Sequence, residues 1–347
     1  MSDAIVSCRP LSPPAGGQPG AAGAMLERNC SIARTLNVLS DSWAFLVLRE
    51  CYFGATRFQT FQSALGLPRQ TLTQRLRKLT SQGLLCRVLY SERPRRFEYR
   101  LTEIGIDMYP VMLALLAFGD KWLCGSQTPP IFLVHNLCGG VCHPVVACSH
   151  CRTEVSAKTV SWRDGPGAGA SAIVKTRRTR RSSDPAILER GRPSSVARAL
   201  KVIGDRWTFM VIREAFFRVR RFDELQAKLG IAPNILTDRL GRLVAEGILS
   251  RIKYQDLPER FEYRLTEKGR DLHGPLIAML SWGDRWLAGG KPPLVLTHTA
   301  CGHDFDPTVI CHRCREPLRA ADMSYKLNYV LPPDRDRTAK PGRPIVA

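Results

Sequence analysis

Two stretches, HNLCGGVCHPVVACSHC and HTACGHDFDPTVICHRC, carry the residues whose spacing points most directly to chemistry. Both follow H-x2-C-x9-C-x2-C, giving His135, Cys138, Cys148 and Cys151, then His298, Cys301, Cys311 and Cys314. Two short knuckles, each turning two ligands toward one ion, are what a tetrahedral Cys3His zinc site requires. The expectation is two structural zinc ions per chain, one in each stretch. Four protein ligands fill the coordination sphere and leave no open position for catalysis. Cys142, His143, His150, His303 and His312 are spare candidates that leave the fourth ligand of each site open. Twelve cysteines without an export signal fit thiols and metal ligation in a reducing compartment better than a disulfide framework.

The elements that must position these ligands come from the rest of the chain. Its 347 residues exceed the usual size of one core, so two domains are expected. With 51 Lys and Arg against 31 Asp and Glu, the net charge of +20 implies a polyanionic partner, nucleic acid or an anionic surface. No apolar run approaches the ~18 residues that span a bilayer. The opening MSDAIVSCRPLSPPAGGQPGAAG lacks a basic segment followed by an apolar one, so it reads as a tail rather than a secretory signal. A cytoplasmic, nucleoid-associated protein without a membrane partner is expected.

The octapeptide RFEYRLTE at Arg96–Glu103 recurs at Arg260–Glu267, and Ser31–Leu123 aligns with Ser195–Leu287 without a gap, the same residue recurring at nearly half of the positions. Repeats of this length are whole domains. Each copy reads helix, helix, helix, hairpin, helix. Leu72, Leu76 and Leu79, matched by Leu236, Leu240 and Leu243, form the apolar stripe of a helix that follows a shorter one stopped by Gly66 or Gly230. Two helices joined by a tight turn form the helix-turn-helix pattern. The alternating hairpins Leu85–Leu101 and Leu249–Leu265 then read as wings, with Thr102 and Thr266 as N-caps of the last helix. That helix carries an apolar face with no partner inside so small a domain.

These residues resemble the HxlR family of winged helix-turn-helix transcriptional regulators. The signature in copy two is ALKVIGDRWTFMVIRE, RFDELQAKLGI, PNILTDRLGRLVAEGIL, YQDLPERFEYRLTEKGRDL and WGDRW; copy one departs at SDSW and PRQTLTQRL. The resemblance implies double-stranded DNA as partner and pairing through the first and last helices, which the duplication would build within one chain as a pseudo-dimer. It also places DNA contacts at Arg69, Gln70, Thr73, Gln74 and Arg77 in copy one. The same surface in copy two holds Pro233, Asn234, Thr237, Asp238 and Gly241, with Arg242 beside them. Wing residues Arg95, Arg96 and Arg260 suit backbone or minor-groove contacts. Arg75 and Arg239 fit a salt bridge or a phosphate equally well. Trp43, Trp122, Trp207 and Trp286 read as core or interface packing. Cys30, next to the first helix, is a candidate redox thiol, although copy two has Ser194 there and an inert thiol is the stronger reading.

The expected fold is mainly α with small β-hairpins (α+β): winged domains at 28–125 and 193–289, each followed by a zinc-ribbon-like element at 129–155 and 292–320. A basic flexible linker is expected at 156–192, with tails at 1–27 and 332–347. The expected function is transcription regulation, repression rather than activation, by a chain able to oligomerise further. A zinc-ribbon adaptor with degenerate winged domains is the alternative. No nucleophile, base and orienting group recur at useful spacing, so no enzyme and no catalytic residues are expected.

Overall fold

A computed structural model describes residues 26–39, 41–172, 188–189 and 192–330. The expected tails lie almost wholly outside these residues, as does the arginine run of the linker, Arg177 to Arg181. The first half opens with β1 (Leu26–Arg28), α1 (Ser31–Leu39) and α2 (Ser42–Tyr52), the latter capped by the Asp41 carboxylate, which accepts from the Ala44 amide. α3 (Phe58–Leu65) ends at Gly66 in the left-handed region, φ 63°, a conformation that costs glycine little. α4 (Arg69–Ser81) buries Leu72, Leu76 and Leu79 and turns its polar face outward. Strands β2 (Leu85–Glu92) and β3 (Arg95–Leu101) form an antiparallel hairpin, the wing.

The last helix is not continuous with the Thr102 cap. Thr102 caps a single turn, α5 (Glu103–Ile106), and the long helix α6 (Tyr109–Leu123) starts three residues later. Pro110 has no N–H with which to continue the ladder from Ile106, so the helix breaks and restarts with proline in its first turn.

Strands β4 (Ile131–His135), β5 (Gly140–Cys142), β6 (Pro144–Cys148), β7 (Val160–Asp164) and β8 (Ala170–Ala172) follow. The second half repeats the plan with α7 (Ser195–Ile203), α8 (Arg206–Phe216), α9 (Phe222–Leu229), α10 (Pro233–Ala245), β9 (Leu249–Gln255), β10 (Arg260–Leu265), α11 (Glu267–Arg270) and α12 (His273–Leu287). Strands β11 (Leu294–His298), β12 (His303–Asp304), β13 (Pro307–Cys311) and β14 (Met323–Leu327) complete it.

Two expectations about the connecting segments are corrected by these strands. Part of the supposed flexible linker is structured: β7 pairs antiparallel with β11, and β8 with β1. Their ladder partners lie far along the chain, so no local hairpin pattern marked them. The Cys/His elements are also not self-contained. β6 pairs with β13, and β14, beyond the expected end of the second element, pairs with β4.

The helical halves meet reciprocally: α1 lies on α12 and α7 on α6. Glycine permits this approach, since a Cβ at Gly119 of α6 would overlap the Ser195 carbonyl, and one at Gly283 of α12 the Ser31 carbonyl. Next to each glycine, a half-buried aspartate faces a serine of the opposite helix, Asp120 facing Ser195 and Asp284 accepting from Ser31. Beyond it, Trp122 Nε1 donates to Asp271 at 2.7 Å and Trp286 Nε1 to Asp107 at 2.7 Å. Lys121 and Arg285 reach the same two aspartates, each at 2.6 Å.

Gly119→Ala and Gly283→Ala should each destabilise the protein by about 1–3 kcal/mol through overpacking. Gly241→Ala, in mid-helix with open space around it, should stabilise by about 0.5–1 kcal/mol. Denaturant midpoints compare the three. Burial lifts the Asp120 and Asp284 carboxyls to about 6. A carboxyl whose folded pKa lies above its unfolded value binds its proton more readily when folded, so its ionisation lowers stability as pH rises from about 4 to about 6. Asp120→Asn and Asp284→Asn should therefore exceed the parent in stability at pH 7, by on the order of 2 kcal/mol each. The margin should shrink toward pH 4 in a series of unfolding curves.

Candidate metal centres and nucleic-acid interface

The eight cysteine and histidine ligands named from spacing assemble into two groups, and each group draws on both halves. His135 and Cys138 meet Cys311 and Cys314; Cys148 and Cys151 meet His298 and Cys301. The expected division, one site within each stretch, is therefore corrected. The cause is the β6–β13 ladder, which pairs Cys148 with Pro307 and Pro144 with Cys311. Each C-x2-C knuckle leaves the end of its strand on the side where the other half presents its H-x2-C knuckle.

The knuckles are tight turns. The amides of Gly139 and Gly302 return to the carbonyls of His135 and His298, both at 2.8 Å, with φ 67° and 73° that favour glycine. Cys138 Sγ and Cys311 Sγ are 4.0 Å apart, and Cys148 Sγ and Cys301 Sγ 3.9 Å. His135 Nδ1 lies 3.7 Å from Cys138 Sγ and 3.2 Å from Cys314 Sγ, and His298 Nδ1 3.3 Å from Cys151 Sγ and 3.4 Å from Cys301 Sγ. A tetrahedron with metal–sulfur bonds of ~2.3 Å has sulfur–sulfur edges of roughly 3.8 Å, so both groups fit one ion each. The Nε2 atoms of both histidines are buried without a hydrogen-bond partner among the described residues. Packing orients these rings instead; Phe305 stands edge-on to His298 at 6.0 Å.

The spare candidates fall outside the two groups. Cys142 is buried, His143 and His312 lie ring to ring at 5.0 Å, and His150 stacks on His303 at 3.6 Å. His150 and His303 form an exposed set with Cys301, itself a member of one four-residue group.

The expected DNA-facing residues sit on two exposed helices and two wings. Arg69, Gln70, Gln74 and Arg77 on α4 are exposed and Thr73 is half-buried; on α10, Asn234, Thr237, Asp238 and Arg242 are exposed. The two surfaces differ in state as well as in residue type. Asp238 is ion-paired with both Arg239 and Arg242, the latter at 3.1 Å, so its carboxylate is engaged along its own helix. Both threonine hydroxyls bond back one turn, Thr73 to the Arg69 carbonyl at 2.8 Å and Thr237 to that of Pro233 at 2.9 Å. Arg75 and Arg239 are turned inward: they pair with Asp41 at 2.5 Å and Asp205 at 3.1 Å, the capping carboxylates of α2 and α8. They lock each exposed helix to the scaffold.

Arg95, Arg96 and Arg260 are exposed at the wing tips. The second wing is the more neutral, because Lys253 there pairs with Asp256 at 2.9 Å and Glu259 at 2.8 Å. Cys30 is 8% exposed at the start of α1, beside the Arg213 guanidinium. Trp43 and Trp207 are half-buried against the core, and Trp122 and Trp286 lie in the joint between the halves. The repeated FGDKW and WGDRW segments supply the contacting glycine, aspartate, cation and tryptophan of that joint; of these only the tryptophans read as packing from the sequence, although the repetition carried the signal for all four.

The family description HxlR-like helix-turn-helix matches residues 38–127 and 202–291. The uncharacterized HTH-type transcriptional regulator Rv3095 of Mycobacterium tuberculosis is 46% identical over 131 residues, 38% of this chain and 83% of the relative. Two further uncharacterized HTH-type regulators, sll1512 of Synechocystis and YtcD of Bacillus subtilis, are 40% and 36% identical over 95 and 90 residues. These cover 27% and 26% of this chain, and 70% and 71% of their own. Among solved structures, PA1607 is 44% identical over 26% of this chain and 63% of its own, with a TM-score of 0.25. No helix among the described residues is long and apolar enough to cross a membrane. Two matches to one family in a single polypeptide, over the helices and wings described above, make this chain a tandem member of the HxlR-like helix-turn-helix family of transcriptional regulators.

Proposed function

We propose that the chain binds one duplex operator made of two unlike half-sites, as a single-chain pseudo-dimer, with each recognition helix in a major groove. The observation that carries this reading is the pair of exposed but unlike helix faces, α4 and α10, on halves that pack reciprocally. Gln70, Gln74 and Asn234 are suited to adenine edges, Arg69 and Arg77 to guanine. Arg95 and Arg96 of the first wing and Arg260 of the second supply backbone or minor-groove contacts. Occupancy of the duplex suffices for repression, which is the outcome proposed. Zinc is the ion proposed for the two Cys3His groups, since three thiolates and an imidazole at tetrahedral spacing suit it and leave no open coordination position.

Selection from a random duplex pool should return a bipartite site with halves about one helical turn apart, bound by one chain. Gln74→Ala should relax one half and Asn234→Ala the other. A perfect palindrome occupied by two chains would contradict the proposal, and salt-insensitive or sequence-indifferent binding would favour an adaptor. Replacing Arg95 and Arg96 by alanine should reduce the slope of log K against log salt by up to about 0.9 for each phosphate that these side chains neutralise, leaving the preferred sequence unchanged. Elemental analysis should find two zinc ions in the parent and one in Cys148→Ser, with helical content retained.

A further inference from the structure

The duplication supplies an internal control for cavities. In the first half, the space between α2, α6 and the start of α7 is reduced to about 40 Å³. The Arg192 guanidinium fills it, pairing with Glu50 at 2.7 Å and lying 5.2 Å over the Phe53 ring, and Tyr109 and Tyr329 line what remains. The corresponding space in the second half, between α8, α12 and the start of α1, is a cleft of about 430 Å³.

The sequence accounts for the difference. Arg28 occupies the position equivalent to Arg192, but it turns to the surface and pairs with Asp164 of β7 at 2.5 Å, stacking over Trp162 and Phe217. Its side chain therefore lines the cleft instead of plugging it. Tyr109 is replaced by His273, whose Nδ1 is buried without a hydrogen-bond partner among the described residues.

We propose that this cleft is a binding site for a small aromatic carboxylic acid, one per chain. Its volume lies in the range of small-molecule sites, and its walls are apolar and aromatic, among them Trp162, Phe216, Phe217 and Leu276. Its charged lining residues are Arg28, Arg213 and Arg218; Arg213 is buried against Glu214 and Arg28 pairs with Asp164, Arg218 is exposed, and no aspartate or glutamate lines the cleft itself among the described residues. A planar ring fits against the aromatic wall, a carboxylate suits the exposed guanidinium groups of Arg218 and Arg28 at the rim, and His273 Nδ1 supplies a hydrogen bond that the fold leaves unmade. The site lies where α1 meets α12, so an occupant touches both halves at once.

Calorimetric titration of the full-length, metal-loaded chain with 2-naphthoate tests this without DNA, so its failure is separable from failure of the operator reading. We expect saturable binding of one naphthoate per chain, at least tenfold tighter than 2-naphthylmethylamine. His273→Phe should weaken it at least tenfold. Leu276→Trp, or Ala157→Trp from the loop before β7 should the helix variant fail to fold, should abolish it. No saturable binding at millimolar naphthoate, a preference for the amine, two sites per chain, or unchanged affinity in a folded cleft-filling variant would each overturn the proposal.

Discussion

The rest of the molecule depends on the close approach of α6 to α7 and of α12 to α1. Each last helix has an apolar face too large for its own winged unit, and the first helix of the other half covers it. Glycine at 119 and 283 brings the backbones close enough for one half-buried aspartate per side to reach a serine on the facing helix. Those aspartates are costly to ionise in place. The Trp–Asp and Lys/Arg–Asp contacts beyond them are charge-assisted, two per side, and directional, so they fix the angle of approach that apolar packing alone leaves loose.

Once the halves are fixed, the Cys/His elements are carried into register. Cross-half ladders β6–β13, β4–β14 and β7–β11 follow, and both four-ligand groups are completed across them. An ion in such a group ties segments more than a hundred residues apart, so binding it and holding the halves together are one linked equilibrium. The proposed DNA reading depends on the same rigidity, because two helices can read one duplex only at a fixed separation. Arg75–Asp41 and Arg239–Asp205 extend that rigidity from the joint to the exposed helices.

Much of this was legible in the chain. The leucine stripes of α4 and α10, the left-handed glycine stops and the alternating wings follow from local periodicity and turn chemistry, and the structure places them as read. The partition of the metal ligands was not legible: with identical spacing in both stretches, pairing within a copy and pairing across copies satisfy the same pattern, and only the strand ladders decide. Strands β7 and β8 were hidden for the same reason, their hydrogen-bond partners being remote. The break before α6 was readable from Pro110 and was missed because Thr102 already offered a convincing cap. The second-half cleft turns on where one arginine side chain points, Arg28 against Arg192, which no pattern of residue types reveals.

Metal stoichiometry of paired substitutions is the most direct test of the cross-half architecture. Cys138→Ser with Cys314→Ser removes two ligands from one group, and the chain should retain one zinc. Cys138→Ser with Cys148→Ser removes one ligand from each group, and both ions should be lost or severely weakened. The opposite result, one ion retained by the Cys138 and Cys148 pair and none by the Cys138 and Cys314 pair, would show that each half closes its own site and would contradict the account.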